Sequence, residues 1–472
     1  MLRSIVFLLS GNSFFSVMSF LRNLIIARLL DIEDYGIAAT FAVSLAIVEM
    51  FSNLGLKQMI VQDRQGDDPH MQATLQGFQL LRASVAAIVL FLLAHPLATF
   101  LGIPQAAWAY QVIAIVPFFN GLVHFDTQRM HRQMLFLPLV FVTSGPVLVS
   151  VLMIWPLFLI FGDYRVMLFA ILVQVMLEVL FSHLFAERPF KLLFDREIIR
   201  RCISFGWPIL ANGAIMFVVL HGEKLVVGRE LGMEELAVFA MGVTLSLTPL
   251  SVIGKSLSQF LLPQLSAAKD DTEYFNHLAR VNYQAHLIAA VLFTILLAFL
   301  GPAIVQFLLG ETFSALGPLL IWLGVMNAFR FFKGASTLAA FAVAHTGNAL
   351  WGNIPRAATL PFAWYMLTEG ADLLVVVLIG LVGEAVGFLI SLIVLRHQSI
   401  FRLKPLLPTL FINVSLLGVL MLQAGLQSFL TMPNWVSVSL GGIVGILVSI
   451  SLFVARDLRV YVQNIRLRAY RF

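Results

Sequence analysis

The sequence predicts an all-α protein that crosses a membrane many times, and three observations carry that prediction. Apolar residues make up 60% of the 472 positions and charged residues only 12%, with a mean hydropathy of +0.93, whereas soluble domains carry about 25% charged residues. Apolar runs of about 20 residues, the length of a membrane-spanning helix, follow one another from end to end; a membrane barrel would instead alternate in segments of about ten. The third observation is a repeated hairpin. The stretch 21–45 ends one apolar run, turns through a short acidic loop and starts another, and it recurs 201 positions later at 222–246, where Leu24 matches Leu225, Arg28 matches Arg229, Glu33 matches Glu234 and Asp34 becomes Glu235.

Taken in order, the apolar windows place six helices in the first half, near 5–29, 36–57, 73–94, 107–125, 137–160 and 165–185. Six more follow near 203–228, 236–262, 280–300, 318–343, 350–367 and 372–395, and a final pair near 406–427 and 435–455. About fourteen transmembrane helices result. The organisation expected is a first lobe over 1–187, a cytoplasmic linker over 188–202, a second lobe over 203–396, two C-terminal helices within 397–456 and a basic cytoplasmic tail over 457–472. An offset of six helices is even, so both lobes have the same orientation and are related by a pseudo-two-fold axis along the membrane normal.

Lys and Arg collect in alternate connections. One set holds Arg3, Lys57, Arg64, Arg129, Arg132, Arg188, Lys191, Arg196, Arg200, Arg201, Lys269, Arg280, Arg396, Arg402, Lys404, Arg456, Arg459, Arg466, Arg468 and Arg471, against Arg28, Arg165 and Arg229 in the other. This asymmetry puts both termini in the cytoplasm. The same bias explains the net charge of +5, so nucleic acid is not implied as a partner. Arg3 precedes an apolar run that continues to Leu30 without a small-residue cleavage site, so the first segment reads as a retained helix. The single Cys202 cannot form an intrachain disulfide.

The outward connections, such as 162–165, 368–372 and 427–434, are short, leaving no room for an external catalytic domain. The longest cytoplasmic connections, 186–201 and 265–280, mix acids and bases and are each expected to form a short amphipathic helix. There is no Gly-rich phosphate loop, no zinc-spaced Cys or His and no GxSxG. The chain therefore does not read as an enzyme, and neither a metal nor a cofactor is expected.

Polar residues inside the membrane are the informative ones, because a charge at a helix centre costs about 2.5–3.5 kcal/mol on the insertion scale and normally faces a cavity or a partner. Asn12, Ser16, Ser19 and Asn23 form a helical stripe with Arg22 beside its outer end, a pattern that helix packing also accommodates. The matching helix carries Asn212, His221, Glu223 and Lys224, with Glu223 at the position equivalent to Arg22. Thr244, Thr248, Ser251, Lys255 and Ser258 make a wet stripe on the eighth helix. The sharpest signal lies on the tenth, where Asn327, Arg330 and Lys333 precede Thr337. Two cations three residues apart share a face and repel. A water-filled, anion-attracting cavity to which Arg356 adds is the favoured explanation; buried ion pairs with Glu384 or Glu178 are the alternative. Glu49, Glu178, Glu223, Glu384 and His124 are candidates for carrying a coupling ion, His124 equally reading as a satisfied interfacial histidine.

At ARLLDIEDYGIAATF (27–41) the chain resembles the first outward hairpin of the Wzx-type polysaccharide and O-antigen flippases of the MOP superfamily, and GRELGMEELAVFA (228–240) is similar to the matching hairpin of that family's second half. The resemblance implies a MATE-like, V-shaped transporter of two six-helix lobes around a cationic cavity. It also implies an undecaprenyl-diphosphate-linked oligosaccharide as substrate, moved between leaflets of the bacterial inner membrane for exopolysaccharide, capsule or O-antigen synthesis. Arg22, Lys224, Lys255, Arg330, Lys333 and Arg356 would then attract the diphosphate or acidic sugars. Membrane lipids and a polysaccharide polymerase or export complex would be its partners, and a proton or sodium gradient or the membrane potential its driving force. The last two helices would shape a groove for the lipid tail, as in the lipid II flippases. Two departures stand out: no acid lies in the first helix between Arg3 and Asp31, where the drug exporters commonly couple a cation, and Asn23 stands where the lipid II relatives pair an acid with the first-helix Arg. The rival readings are a cation-coupled multidrug exporter of the same fold, whose cationic substrates Arg and Lys would repel, and a membrane glycan ligase or polymerase, which the short outer connections oppose.

Overall fold

The computed structural model describes residues 2–469 apart from 53, 64, 134, 346, 399–400 and 430–433. Side chains at 2–13, 51–52, 62, 208–209, 212, 398, 427–429, 434–438 and 465–469 are likewise outside the description. Arg64 and Arg471, the side chains of Arg3, Asn12, Asn212, Arg466 and Arg468, and most of the 427–434 connection therefore lie outside the described residues. Two compact units emerge, Met1–Met241 and Gly242–Phe472. All described secondary structure is helical.

Unit 1 contains α1 (Leu2–Leu29), α2 (Ile32–Ser52), α3 (Leu56–Gln62), α4 (Pro69–Phe100), α5 (Ala107–Ile113), α6 (Ile115–Leu122), α7 (Asp126–Arg132), α8 (Leu137–Phe161), α9 (Arg165–Leu184), α10 (Arg196–Phe217), α11 (Glu223–Glu230) and the start of α12 (Met233–Ala267). The unit boundary falls beyond the 188–202 linker because α10 and α11 pack on α2. Unit 2 holds the rest of α12, then α13 (Thr272–Leu309), α14 (Leu316–Ala342), α15 (Gly347–Thr368), α16 (Leu373–Gln398), α17 (Leu407–Phe429), α18 (Asn434–Val454) and α19 (Arg456–Ala469).

Helices occupy all fourteen ranges read from the apolar windows. Among the described residues, seven are long and apolar enough to cross a membrane, or nine if each of two bent pairs is one span. α14, interrupted by Asn327, Arg330 and Lys333, is not among these seven.

Three expectations need correction. The fourth apolar run is not one helix but α5 and α6, broken at Ala114, because Pro117 has no N–H to give the carbonyl of Ile113 and its ring crowds that turn. The seventh is interrupted by a π turn at Val218–Gly222. Neither long cytoplasmic connection makes a separate amphipathic helix. Residues 187–195 run without helix along α4, with the Leu193 N–H donating to the Ala73 carbonyl at 3.1 Å and Gln76 donating to the Lys191 carbonyl at 2.9 Å; Pro189 disfavours helix at the residue before it. The other connection is absorbed into α12 and α13, which at 35 and 38 residues are about 50–57 Å long and outreach a hydrocarbon core of about 30 Å.

Asp195 caps α10. Its carboxyl accepts from His70 and from the N–H groups of Glu197 and Ile198, which together hold it below the usual carboxylate range.

The repeated hairpin has a packing explanation. Tyr35 is buried, and a Cβ on Gly36 would meet the Met233 carbonyl oxygen at 2.0 Å, so the first copy of the hairpin seats directly on the start of the second. Gly36→Ala is expected to lower stability by about 1–3 kcal/mol, the usual cost of overpacking, while Gly441→Ala, where a Cβ meets nothing within 4 Å, leaves it unchanged or slightly raised. Thermal melts of the two purified variants check this; equal melting temperatures would remove the contact's importance.

Candidate functional site

Unit 2 builds its charged site from three adjacent helices. Glycines let them approach: Gly383 and Gly387 flank Glu384 in a GxxxG pattern on α16, a Cβ on Gly387 would lie 2.3 Å from the Gly352 carbonyl oxygen of α15, and one on Gly383 would lie 3.1 Å from the Arg356 Cα. The close crossing carries Glu384 between α14 and α15, where it is fully buried.

Three cations converge there. Arg330 Nε donates to Glu384 Oε1 at 2.7 Å, Lys333 Nζ donates to Oε2 at 2.8 Å, and Arg356 Nε lies 3.4 Å from Oε1. Lys333 also reaches the Gly352 carbonyl at 3.4 Å, and Arg356 Nη1 reaches Thr359 Oγ1 at 3.2 Å. Counting three cations against one carboxylate leaves this cluster with a net charge of +2. Of the two acids considered as partners, Glu384 is the one that meets the cations.

The three cations are not equivalent. The Lys333 and Arg356 side chains are 8% and 2% exposed, Arg330 15%. Arg330 also lines a cavity of about 230 Å³ together with Ser251 and Ser258 of α12, His286 of α13 and Asn327. Part of the wet stripe on α12 thus faces the cation. Asn327 is fixed by donating to Ser246 Oγ at 2.8 Å. Lys255 is exposed and is not among the residues lining that cavity.

Unit 1 holds the remaining candidates at separate places. Arg22 donates to the Gln174 carboxamide oxygen and, at 3.5 Å, to Ser150, which ties α1 to α8 and α9. His221 stacks on Phe217 with ring centroids 5.6 Å apart within the π turn that precedes buried Glu223 and half-buried Lys224. His124 accepts from the Asp126 N–H at 3.0 Å and packs on His183 and Phe190. Glu49 and Glu178 line one polar cavity of about 280 Å³, along with Lys57 and Arg82. Arg82 is missing from the sequence reading, although a lone Arg inside an apolar helix was signal enough.

The family profile described as "polysaccharide biosynthesis protein" matches residues 25–318, more than half the chain. The chain belongs to that family. Among its relatives, the succinoglycan biosynthesis transport protein ExoT of Rhizobium meliloti (strain 1021) is 24% identical over 375 residues, covering 74% of each chain. An uncharacterized membrane protein of the cps region of Klebsiella pneumoniae is 21% identical over 401 residues, 83% of this chain and 80% of the relative. Among solved structures, the lipid II flippase MurJ in an inward closed conformation aligns with a TM-score of 0.68 over 96% of this chain and 99% of that one at 14% identity. An inward-facing multidrug transporter of the MATE family aligns at 0.60 over 81% and 94%, also at 14% identity. These likenesses establish the fold: this member of the polysaccharide biosynthesis family is a multi-pass helical membrane protein with the fold of that flippase and that transporter.

Proposed function

We propose that this chain is a flippase carrying an undecaprenyl-diphosphate-linked oligosaccharide across the bacterial inner membrane by alternating access. Fourteen spans in two six-helix repeats plus a final pair, with both termini cytoplasmic, would provide the path, and polysaccharide polymerase or export machinery would take up the product. The observation that carries the reading is the Glu384 site: a net positive cluster inside an apolar helix bundle, one of whose cations faces a cavity that also holds Ser251, Ser258 and Asn327. A diphosphate head supplies the missing negative charge, and its oxygens suit the planar fork of Arg330. Family membership, the transport protein named among the relatives and the lipid II flippase fold all agree with it. Export of organic cations by the MATE-like fold finds less support, because the cluster would repel them.

Coupling is proposed to run through Glu49 and Glu178. Glu384 is committed to three cations, whereas these two carboxylates share a polar cavity able to hold a proton or sodium ion. Glu178→Gln is expected to slow export by about tenfold or more, corresponding to at least 1.4 kcal/mol, without lowering protein level, and to abolish the response of the rate to an imposed proton or sodium gradient. A variant that still follows both gradients would move coupling elsewhere.

The function itself is tested by a leaflet-resolved assay of lipid-linked oligosaccharide in cells depleted of the protein. Accumulation of complete repeat units on the cytoplasmic face is the expected result. A normal distribution, with no redundant transporter present, overturns the proposal.

A further inference from the structure

We propose that unit 2 carries, at its cytoplasmic end, a binding groove for the phosphate headgroup of an anionic phospholipid. Two hollows of about 490 and 480 Å³ adjoin at Pro405, which lines both. The first is walled by Arg396 at the end of α16 and by Arg402, Lys404 and Leu407 leading into α17; the second by His277 and Arg280 of α13 and by Arg456, Asp457 and Val460 of α19.

Charge is the first argument. Asp457 is the sole acid in either wall, and its carboxylate is taken up within the protein, by His277 at 2.9 Å and Arg280 at 3.0 Å. Among the described residues, Arg396, Arg402, Lys404 and Arg456 form no ion pair, and residues 398–400 and 465–472 contain no acid. Four unmatched cations lining two adjoining hollows attract a phosphate.

What lies beside them favours a lipid over a soluble anion. Leu407 and Val460 extend the walls as apolar surface 45% and 40% exposed, and Phe411, one turn further along α17, is 74% exposed. The chain bends by 59° from α18 into α19, where half-buried Leu458 and exposed Val462, four residues apart, share a face turned away from Arg456, as in a helix lying in the membrane interface. Cations over an apolar flank match a headgroup with its acyl chains, and basic pockets on the cytoplasmic side are where anionic headgroups bind. Only the naming of the leaflet rests on the orientation proposed above.

The test uses the full-length protein purified from membranes containing phosphatidylglycerol and phosphatidylethanolamine, with retained lipid counted by native mass spectrometry. Wild type is expected to retain phosphatidylglycerol over phosphatidylethanolamine by about tenfold, and Arg396→Gln/Arg402→Gln/Lys404→Gln to fall to near parity. A variant losing the same charge from unit 1, Lys191→Gln/Arg196→Gln/Arg200→Gln, should keep the preference. Equal retention by the first variant, or equal loss by the second, overturns the proposal. In a parallel melt, the rise in transition temperature given by short-chain phosphatidylglycerol should be lost in the first variant, whereas any rise given by inorganic diphosphate should be the same in wild type and that variant; a diphosphate rise lost in the first variant, with the phosphatidylglycerol rise kept, identifies a soluble-anion site and also overturns it. None of these readouts measures transport or depends on orientation, so their failure leaves the flippase reading standing.

Discussion

Replacing Glu384 by Ala is expected to remove most of the folded protein from the membrane. The wild-type site holds three cations around one fully buried carboxylate. Without the carboxylate they face one another across an apolar helix interface, and removing one partner of a buried ion pair costs about 3–5 kcal/mol. A native protein has about 5–15 kcal/mol in reserve, so the loss is a large share of the total. Glu384→Gln retains the volume and one acceptor but not the charge, and should fall between wild type and Ala. The mechanism makes a further demand: in the Glu384→Gln background, Lys333→Met should partly restore folding, because it returns the cluster from three positive charges to two. Size-exclusion profiles and thermal melts of the four proteins decide it. A Glu384→Ala variant that melts with wild type would mean that these charges are solvated from elsewhere, and no rescue by Lys333→Met would mean that the loss is one of shape.

How much of this was legible in the sequence follows a physical line. Helix positions were, because a span must keep about 20 apolar residues together whatever it packs against. Arg330, Lys333 and Arg356 stood out for the complementary reason, since a charge in such a span is expensive and needs an explanation. Their meeting with Glu384 stood only as one of two alternative ion pairs, because pairing depends on which helices touch, and 51 or more residues separate the acid from Arg330 and Lys333. A clue was nonetheless present: Gly383, Glu384 and Gly387 place a carboxylate inside a close-packing motif, which announces a neighbouring backbone at that depth. Similarly, Pro117 announced the break between α5 and α6, whereas the π turn at Val218–Gly222 has no Pro to announce it. The 186–201 connection was misread because mixed charge resembles an amphipathic helix; what holds it extended is hydrogen bonding to α4, a tertiary contact.

Arg330→Gln is expected to do the reverse of Glu384→Ala, leaving a folded protein that transports poorly. Gln still hydrogen-bonds Glu384, and Lys333 and Arg356 continue to neutralise the carboxylate, so the cluster falls from +2 to +1 without an orphaned charge. What disappears is the most accessible of the three cations, the one that also lines the cavity with Ser251, Ser258 and Asn327. A hydrogen bond to a charged group contributes about 1.5–3 kcal/mol, which corresponds to a drop in polymer export of about tenfold to 150-fold. Arg330→Lys, which restores the charge without the fork, should recover only part of the rate if two phosphate oxygens are bound at once. Lys333→Gln supplies the contrast. Lys333 is packed under Gly352 and does not line that cavity, so its loss should lower the melting temperature more than the rate per folded molecule. Export normalised to folded protein, measured alongside the melts, separates the two effects. If Arg330→Gln exports as wild type does while Lys333→Gln fails at normal protein level, the substrate's anion approaches from the α15 side and the cavity beside Arg330 is not on its route.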